Sequence, residues 1–200
     1  MTTAAEPSNL NIANALTLVR ISGVPVFGWL LLTQSGDSIE FRVWAWVAFF
    51  LLMITDRIDG DLARKHNLVT NFGKIADPIA DKALTGMAFV GLSIIGELWW
   101  WVTILVLVRE WGITLLRFVV MKYGVMPASR GGKIKTTLQA VALGGYILPF
   151  ELWNNGFADA LRWATHLTMA AAVIITVATA VDYVRAATGM RSEQKRLNRS

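Results

Sequence analysis

Five aspartates lie within 26 consecutive residues of a chain that is otherwise largely apolar. Asp61 is interpreted as a solvated residue near a helix end. The other four recur at helical spacing and are the candidate site residues: Asp56, Asp59, Asp77 and Asp81. Carboxylates that converge in a low-dielectric site repel one another unless cations neutralise them. Oxygen ligands without Cys or His favour Mg²⁺ or Mn²⁺, and a pair of such ions commonly clamps a transferring phosphoryl group. We therefore predict a site for two Mg²⁺ or Mn²⁺ ions.

The spacing of the aspartates predicts two helices joined by a short polar turn. On the first helix, expected over residues 51–64, positions i, i+3, i+4 and i+7 share one face, which carries Asp56, Asp59, Gly60 and Ala63. On the second helix, one face repeats every four residues and carries Gly73, Asp77 and Asp81. The polar segment 66–71 is short enough to bring the two faces together. Ionisable residues at membrane depth are costly and usually functional, so the whole set indicates a functional site.

Composition places the chain among integral membrane proteins. Hydrophobic residues make up 54% of the chain, which favours a membrane protein over a soluble one. The length of 200 residues suits one domain over residues 1–200, with a basic tail from about residue 186. It contains no Cys, which excludes disulfides and thiolate metal sites. The net charge of +5 is spread over membrane boundaries rather than gathered in one patch, which argues against a nucleic-acid partner. Lipids are the expected surroundings.

Apolar runs predict an all-α fold with six transmembrane helices and a polar, metal-binding cavity on the cytoplasmic side. The expected spans are residues 11–32, 41–61, 73–95, 99–123, 134–150 and 159–187. The apolar part of the third span, residues 83–95, is shorter than the roughly 20 residues needed to cross a bilayer. Residues 73–81 should therefore lie at membrane depth beside a wet cavity. Residues 121–135 are expected to form a basic loop, and residues 185–200 a frayed basic tail.

The distribution of charge predicts the orientation. With six spans, one side of the membrane collects most of the bases, namely Arg57, Arg64, Lys65, Lys74, Lys122, Arg130, Lys133, Lys135 and the tail. The other side has Arg42 and Arg162 near its short loops. The positive-inside rule then gives a multi-pass protein of the inner or plasma membrane with the aspartates and both termini cytoplasmic. Tryptophans at the outer boundary agree with an aromatic belt, namely Trp29, Trp44, Trp46, Trp99, Trp100, Trp101, Trp153 and Trp163.

A second cluster of candidate residues is cationic. Arg109 and Arg117 lie within the apolar fourth span, and Lys133 and Lys135 open the fifth. The two lysines could equally be ordinary juxtamembrane bases, but the arginines are costlier in lipid. Arg suits bidentate phosphate recognition and Lys adds a point charge. We therefore predict an acceptor molecule that carries a phosphate, with Glu110 orienting an arginine.

The first span carries a polar side. Asn14, Thr17 and Arg20 recur there every three residues. The residues alone leave two interpretations of Arg20 open, since the side chain could extend to the membrane interface or serve the site.

The pattern D-x2-D-G-x2-A-R-x8-G-x3-D-x3-D resembles the signature of the CDP-alcohol phosphatidyltransferases. Its defining positions are occupied by Asp56, Asp59, Gly60, Ala63, Arg64, Gly73, Asp77 and Asp81. The resemblance implies a membrane enzyme that joins a CDP-activated diacylglycerol to an alcohol and releases CMP. The first helix and residues 109–117 and 128–139 are similar to the phosphatidylglycerophosphate synthases within that family. This resemblance extends from about residue 11 to residue 139 and implies sn-glycerol 3-phosphate as the acceptor.

The resemblance also assigns roles. It implies that Asp81 is the general base and that two ions are held by the four motif aspartates. The CDP-diacylglycerol site would comprise Asn14, Thr17, Arg20, Gly60, Ala63, Arg64 and Gly73. The small residues among them could instead serve helix packing. The acceptor phosphate would be bound by Arg109, Arg117, Lys133 and Lys135. A homodimer is expected.

Four alternatives differ in acceptor or in class. A cardiolipin synthase of the same family would use phosphatidylglycerol as acceptor, and a third possibility is an inositol phosphate acceptor. A divalent-cation transporter would line a pathway with aspartates. However, here they cluster at one end of two helices. A polyprenyl transferase would be expected to have a longer chain with two separated aspartate motifs.

Overall fold

The computed structural model describes residues 12–65, 70–120, 130–153 and 156–197. Within these ranges it does not describe the side chains of residues 13, 57, 59–65, 71–75, 77, 78, 117–120, 130, 187 and 189–197. Six helices follow one another: α1 Ile12–Leu32, α2 Ile39–Lys65, α3 Asn71–Ile94, α4 Trp100–Val120, α5 Arg130–Ile147 and α6 Gly156–Leu197. Short 3₁₀ turns follow α1 at Thr33–Gly36 and α5 at Phe150–Leu152. No strand occurs in the described ranges, which confirms the all-α class.

Each predicted span corresponds to one helix, but two boundaries were wrong. The basic segment predicted as a loop up to residue 135 is helical from Arg130 onward. Lys, Ile, Leu and Gln follow the Gly131–Gly132 pair and sustain the helix. The tail predicted to fray continues α6 as far as Leu197. Eleven of the 16 residues from 185 to 200 are Arg, Ala, Met, Glu, Gln, Lys or Leu, which have high helix propensity, and the segment contains no proline.

Two helical segments, Asn14–Gly36 and Gly156–Ala186, are long and apolar enough to cross a membrane. Only 33% of each apolar window is buried within the protein, whereas the core helix of a soluble domain would be mostly buried. This supports membrane association. α4 is of similar length but carries Arg109, Glu110 and Arg117, the charged residues that the sequence places at a functional site.

The chain folds as two compact units, of which the first comprises residues 1–97 and 146–154. In it, α1 packs against α2 and α3. The buried side chains include Val24, Phe27, Leu31, Phe49, Leu52, Leu84, Ala88 and Phe89. The α1–α3 contact depends on small residues, because a Cβ at Gly28 would lie 2.8 Å from Met87 Sδ and one at Gly91 would lie 2.7 Å from Leu31 Cδ2.

Arg42, which the sequence placed only as an outer-side charge, is a buried structural residue of this unit. Its Nη1 donates to Glu97 Oε1 at 2.6 Å. Its Nη2 and Nε donate to the carbonyl oxygens of Tyr146 at 2.6 Å and Ile147 at 3.2 Å. These carbonyls end α5 and have no later turn to bond to. Arg42 therefore caps the end of α5 and holds it to α2.

The second unit comprises residues 98–145 and 155–200. In it α4 packs against α6. α6 presents small and polar residues inward along one stripe, which consists of Thr165, Met169, Ala172, Thr176, Thr179 and Tyr183. Its outward residues are large and apolar, among them Leu167, Ile174, Val177, Val181 and Val184. A polar interior beneath an apolar exterior is the pattern expected of a helix in lipid.

Gly145 should be required for the packing of α5 against α6. A Cβ there would lie 2.8 Å from Thr165 Cγ2, whereas a Cβ at Gly112 on α4 would have no neighbour within 4 Å. We expect Gly145→Ala to lower the free energy of unfolding by about 1–3 kcal/mol through overpacking. The matched Gly112→Ala should be neutral or stabilising by up to about 1 kcal/mol. Thermal unfolding in detergent would show the difference, and equal midpoints for the two variants would contradict this close contact.

Candidate functional site

The aspartate motif is divided between two helices, as its spacing predicted. Asp56, Asp59, Gly60, Ala63 and Arg64 lie in the last turns of α2, whereas Gly73, Asp77 and Asp81 lie in the first turns of α3. The connecting residues 66–69 fall outside the described part of the chain. Among the motif side chains, those of Asp56 and Asp81 are described and the other six are not.

Arg20 joins α1 to the motif. Its side chain is 0% exposed, and its Nη1 donates to Asp56 Oδ1 at 2.5 Å. An arginine that extended to the membrane interface would have an exposed head, so that interpretation of Arg20 is wrong. A buried guanidinium requires a partner, which Asp56 supplies. The Asp56 side chain is itself 42% exposed, so its carboxylate is accessible from outside the packed helices.

Asn14 joins α1 to the start of α3. Its Nδ2 lies 2.9 Å from Thr70 Oγ1, and Thr70 Oγ1 lies 3.1 Å from Asn14 Oδ1. Both side chains are buried, as is Thr17 one turn further along α1. The polar side of α1 thus faces its neighbours rather than lipid. Thr70 was missed from the sequence, although a Thr immediately before a helix beginning at Asn71 is a common capping position.

The donor set suits the metals predicted from the sequence. Asp56 and Asp81 offer carboxylate oxygens, the ligand type that Mg²⁺ and Mn²⁺ prefer, and both residues are at least partly exposed. Among the described side chains, no group of three or more His, Cys, Asp or Glu is placed to hold a metal. Two of the four expected ligands, Asp59 and Asp77, have side chains outside the description, so the ligand set remains a prediction.

The second unit gathers charged residues from α4 and α5. Arg109 Nη1 donates to Glu110 Oε1 at 2.9 Å, and Lys135 Nζ forms an ion pair with the same oxygen. Lys135 is 3% exposed and Arg109 is 10% exposed. Glu110 therefore contacts an arginine, as expected, and a lysine as well. Both pairs are largely removed from water, where a lone cation would be costly.

α6 contributes the polar partners that the sequence did not reveal. Arg109 Nη2 donates to Thr179 Oγ1 at 2.7 Å, and the Arg109 Cζ lies 5.8 Å from the centroid of the Tyr183 ring. Gln139 Nε2 donates to Thr176 Oγ1 at 3.3 Å. Thr176, Thr179 and Tyr183 fall at i, i+3 and i+7, a spacing that could have identified this face.

One hydrogen-bond donor of Arg109 is unsatisfied among the described residues. Its Nε is buried and has no hydrogen-bond partner among the described residues. Such a donor costs about 1–3 kcal/mol unless an acceptor reaches it.

The four predicted acceptor cations differ in their surroundings. Lys135 and Arg109 belong to the buried cluster around Glu110. Lys133 is exposed on α5, and the Arg117 side chain lies outside the described set, although its backbone is part of α4. Two of the four are therefore brought together by the structure.

A model of the CDP-alcohol phosphatidyltransferases matches residues 10–184 of the chain. The chain belongs to this family. The match includes α6 up to Val184, so the resemblance extends beyond residue 139, where it was expected to end. Membership confirms that the protein is an enzyme of the phosphatidyltransferase type and disfavours the cation transporter.

Three relatives within this phosphatidyltransferase family are informative. A Mycobacterium tuberculosis (strain H37Rv) protein named "Probable phosphatidylglycerophosphate synthase" is 50% identical over 174 residues, covering 87% of this chain and 80% of the relative. The Bacillus subtilis (strain 168) CDP-diacylglycerol–glycerol-3-phosphate 3-phosphatidyltransferase is 37% identical over 186 residues, covering 86% of this chain and 93% of the relative. A Streptomyces coelicolor cardiolipin synthase (CMP-forming) is 32% identical over 118 residues, covering 59% of this chain and 55% of the relative.

Proposed function

We propose that the protein transfers the phosphatidyl group of CDP-diacylglycerol to sn-glycerol 3-phosphate, forming phosphatidylglycerophosphate and CMP. The observation that carries this proposal is the buried pair of cations, Arg109 and Lys135, within a member of the CDP-alcohol phosphatidyltransferase family. An arginine and a lysine held side by side suit an acceptor bearing a phosphate. The names of the Mycobacterium and Bacillus relatives support the same acceptor, and the cardiolipin synthase relative is matched over a smaller share of both chains.

The donor site is assigned to the first unit. Two bound Mg²⁺ or Mn²⁺ ions would be held by Asp56, Asp59, Asp77 and Asp81, and would offset the negative charge of the pyrophosphate. Arg64 would bind a donor phosphate, and Gly60, Ala63 and Gly73 would let the cytidine nucleotide approach the backbone. Asn14, Thr17 and Arg20 would bind the donor, and the contacts of Arg20 with Asp56 and of Asn14 with Thr70 would hold this side of α1 in place.

Asp81 is proposed as the general base. It would take the proton from the attacking hydroxyl of glycerol 3-phosphate as that oxygen forms a bond to the phosphorus bearing diacylglycerol. The bond from this phosphorus to the CMP oxygen then breaks, and CMP leaves with the electron pair. Asp81 is exposed on α3, as a group that must meet a soluble acceptor should be.

We further propose six membrane spans, one for each helix, with the end of α2, the start of α3 and the start of α5 in the cytoplasm. The support is the concentration of Lys and Arg at these helix ends. The exposed tryptophans at the opposite ends, such as Trp29 and Trp99, are 61% and 72% exposed and suit a membrane interface.

This orientation predicts different labelling of two single-cysteine variants. The chain contains no Cys, so each variant carries one reactive thiol. In intact cells Ser38→Cys should react with a membrane-impermeant maleimide, whereas Asn67→Cys should react only after the membrane is opened. The opposite pattern would reverse the orientation.

The acceptor assignment predicts a selective change in KM. Arg117→Ala should raise the KM for glycerol 3-phosphate about 10- to 100-fold, since one lost charge-assisted hydrogen bond is worth roughly 1.5–3 kcal/mol. Arg117→Lys should recover only part of the loss, because an ammonium cannot replace the bidentate fork. Lys133→Ala should act in the same direction. The KM for CDP-diacylglycerol should change little in all three variants.

Arg162→Ala is a suitable control for this experiment, because Arg162 is an exposed cation near the opposite end of the predicted spans. It should leave both KM values unchanged. An Arg117→Ala, Lys133→Ala double variant with the wild-type KM for glycerol 3-phosphate would remove the acceptor assignment while leaving the aspartate site unaffected.

A further inference from the structure

We propose that Glu110 and Thr179 position Arg109 and Lys135 for the acceptor phosphate without contacting the acceptor themselves. This inference rests on the proposed function, because it concerns the same phosphate site. It adds α6 to the acceptor site, and it means that the anionic Glu110 favours the binding of the acceptor phosphate. The carboxylate and the hydroxyl act through the two cations.

Glu110 brings two cations together that would otherwise repel each other. Its Oε1 contacts both Arg109 Nη1 and Lys135 Nζ, and all three side chains are mostly buried. At low effective dielectric two unpaired cations at this separation would be unfavourable, so the carboxylate is what allows them to lie close. Two cations held side by side by one carboxylate suit the several oxygens of a phosphate group.

Thr179 fixes the other edge of the same guanidinium. Its hydroxyl donates to the Ile175 carbonyl oxygen at 2.7 Å within α6, so its oxygen is oriented to accept from Arg109 Nη2, also at 2.7 Å. Arg109 is thus held from α4 by Glu110 and from α6 by Thr179. Tyr183 lies 5.8 Å from its Cζ and further limits its movement.

The held guanidinium still has hydrogens to donate. Arginine carries five N–H groups in a rigid fork, and the contacts with Glu110 and Thr179 use one hydrogen on Nη1 and one on Nη2. A guanidinium fixed before the ligand arrives loses little freedom when it binds, which favours affinity for a tetrahedral oxyanion. The contacts of Glu110 and Thr179 supply this preorganisation.

The rival interpretation gives Glu110 the opposite effect. If its carboxylate merely competed with the phosphate for Arg109 and Lys135, removing its charge would strengthen anion binding. If it positions the two cations, removing its charge weakens anion binding even though the cluster becomes more positive. Glu110→Gln therefore separates the two interpretations by the direction of the change, with nearly the same side-chain shape.

The experiment uses the full-length protein in detergent with four variants: Glu110→Gln, Thr179→Val, Thr179→Ser and Thr168→Val. Thr168 is the matched control, since it lies on α6 with the same hydroxyl bond to its own helix, at 2.7 Å to the Ala164 carbonyl oxygen. CMP release gives kcat and both KM values. Calorimetry gives the Kd of inorganic phosphate, which does not depend on turnover.

We expect Glu110→Gln and Thr179→Val to raise the KM for glycerol 3-phosphate and the Kd for phosphate, each by about tenfold. Thr179→Ser should restore values close to wild type because it keeps the accepting oxygen. Thr168→Val should change neither value. The KM for CDP-diacylglycerol and the thermal midpoint should stay near wild type in the serine and control variants.

Three results would overturn the inference. Tighter phosphate binding by Glu110→Gln would show that the carboxylate competes with the ligand. If Thr179→Val and Thr168→Val had the same KM for glycerol 3-phosphate and the same Kd for phosphate, Thr179 would have no positioning role. A rise in both KM values together with a lower thermal midpoint would indicate a purely structural role. If the wild-type enzyme ignored glycerol 3-phosphate, the proposed function would fail, and the phosphate Kd values would still decide the positioning role.

Discussion

Asp81→Asn should lower kcat for CMP release by about 10²- to 10⁴-fold, the usual contribution of a general base. Asn has nearly the same shape as Asp but cannot take a proton from the acceptor hydroxyl. The side chain is exposed, and Asn preserves its volume. The fold should therefore be retained, and the KM for glycerol 3-phosphate should change little. Single-turnover CMP release would measure the chemical step directly.

Asp61→Asn is the matched control for Asp81→Asn. It removes one negative charge near the same motif, at a position interpreted as solvated and outside the site. It should retain most of the wild-type kcat. If Asp61→Asn and Asp81→Asn lost activity equally, the effect would be one of local charge, and Asp81 would not be the base.

Asp56→Asn should reduce turnover below about 1% of wild type and weaken Mn²⁺ binding, because it removes an anionic ligand from the proposed metal site. The same change takes the negative charge away from the buried Arg20, which is bonded to Asp56 at 2.5 Å. Because Asp56 is 42% exposed, breaking this pair should cost less than the roughly 3–5 kcal/mol of a fully buried pair. Asn keeps an oxygen for Arg20 to bond, so part of this contact should survive.

Two measurements separate metal binding from folding in this variant. Titration with Mn²⁺, followed by electron paramagnetic resonance, gives the affinity for the metal independently of activity. Helical content by circular dichroism reports whether the variant is folded. Wild-type protein treated with a chelator should lose activity and regain it with Mg²⁺ or Mn²⁺, and full activity of the chelated protein would contradict a divalent-metal mechanism.

The helices and the motif could be predicted because periodicity acts locally. The spacing from Asp56 to Asp81 placed both halves of the motif on helices, and α2 and α3 contain them as expected. The start of α5 was missed because a Gly pair and several bases suggested a loop. Charge and glycine content alone do not distinguish an exposed loop from the first turn of a helix.

The partners of the charged residues could not be predicted, since they depend on tertiary packing. The sequence shows that burying the charge of Arg20 is costly. It does not show that Asp56, 36 positions later, forms an ion pair with it. It treats Lys133 and Lys135 alike, although a separation of two positions on a helix turns one outward and the other inward. Thr179 carries no charge and lies in an apolar helix, so its spacing with Thr176 and Tyr183 can mark a polar face, but its contact with Arg109 is seen only in the structure.

CMP release from CDP-diacylglycerol by the purified wild-type protein would identify the acceptor. Glycerol 3-phosphate, phosphatidylglycerol and inositol phosphate would be compared as acceptors in the presence of Mg²⁺, with the lipid product identified by mass spectrometry. We expect rapid CMP release with glycerol 3-phosphate, little with the other two, and phosphatidylglycerophosphate as the product. Release that depended on phosphatidylglycerol instead, with cardiolipin as the product, would contradict the proposed function.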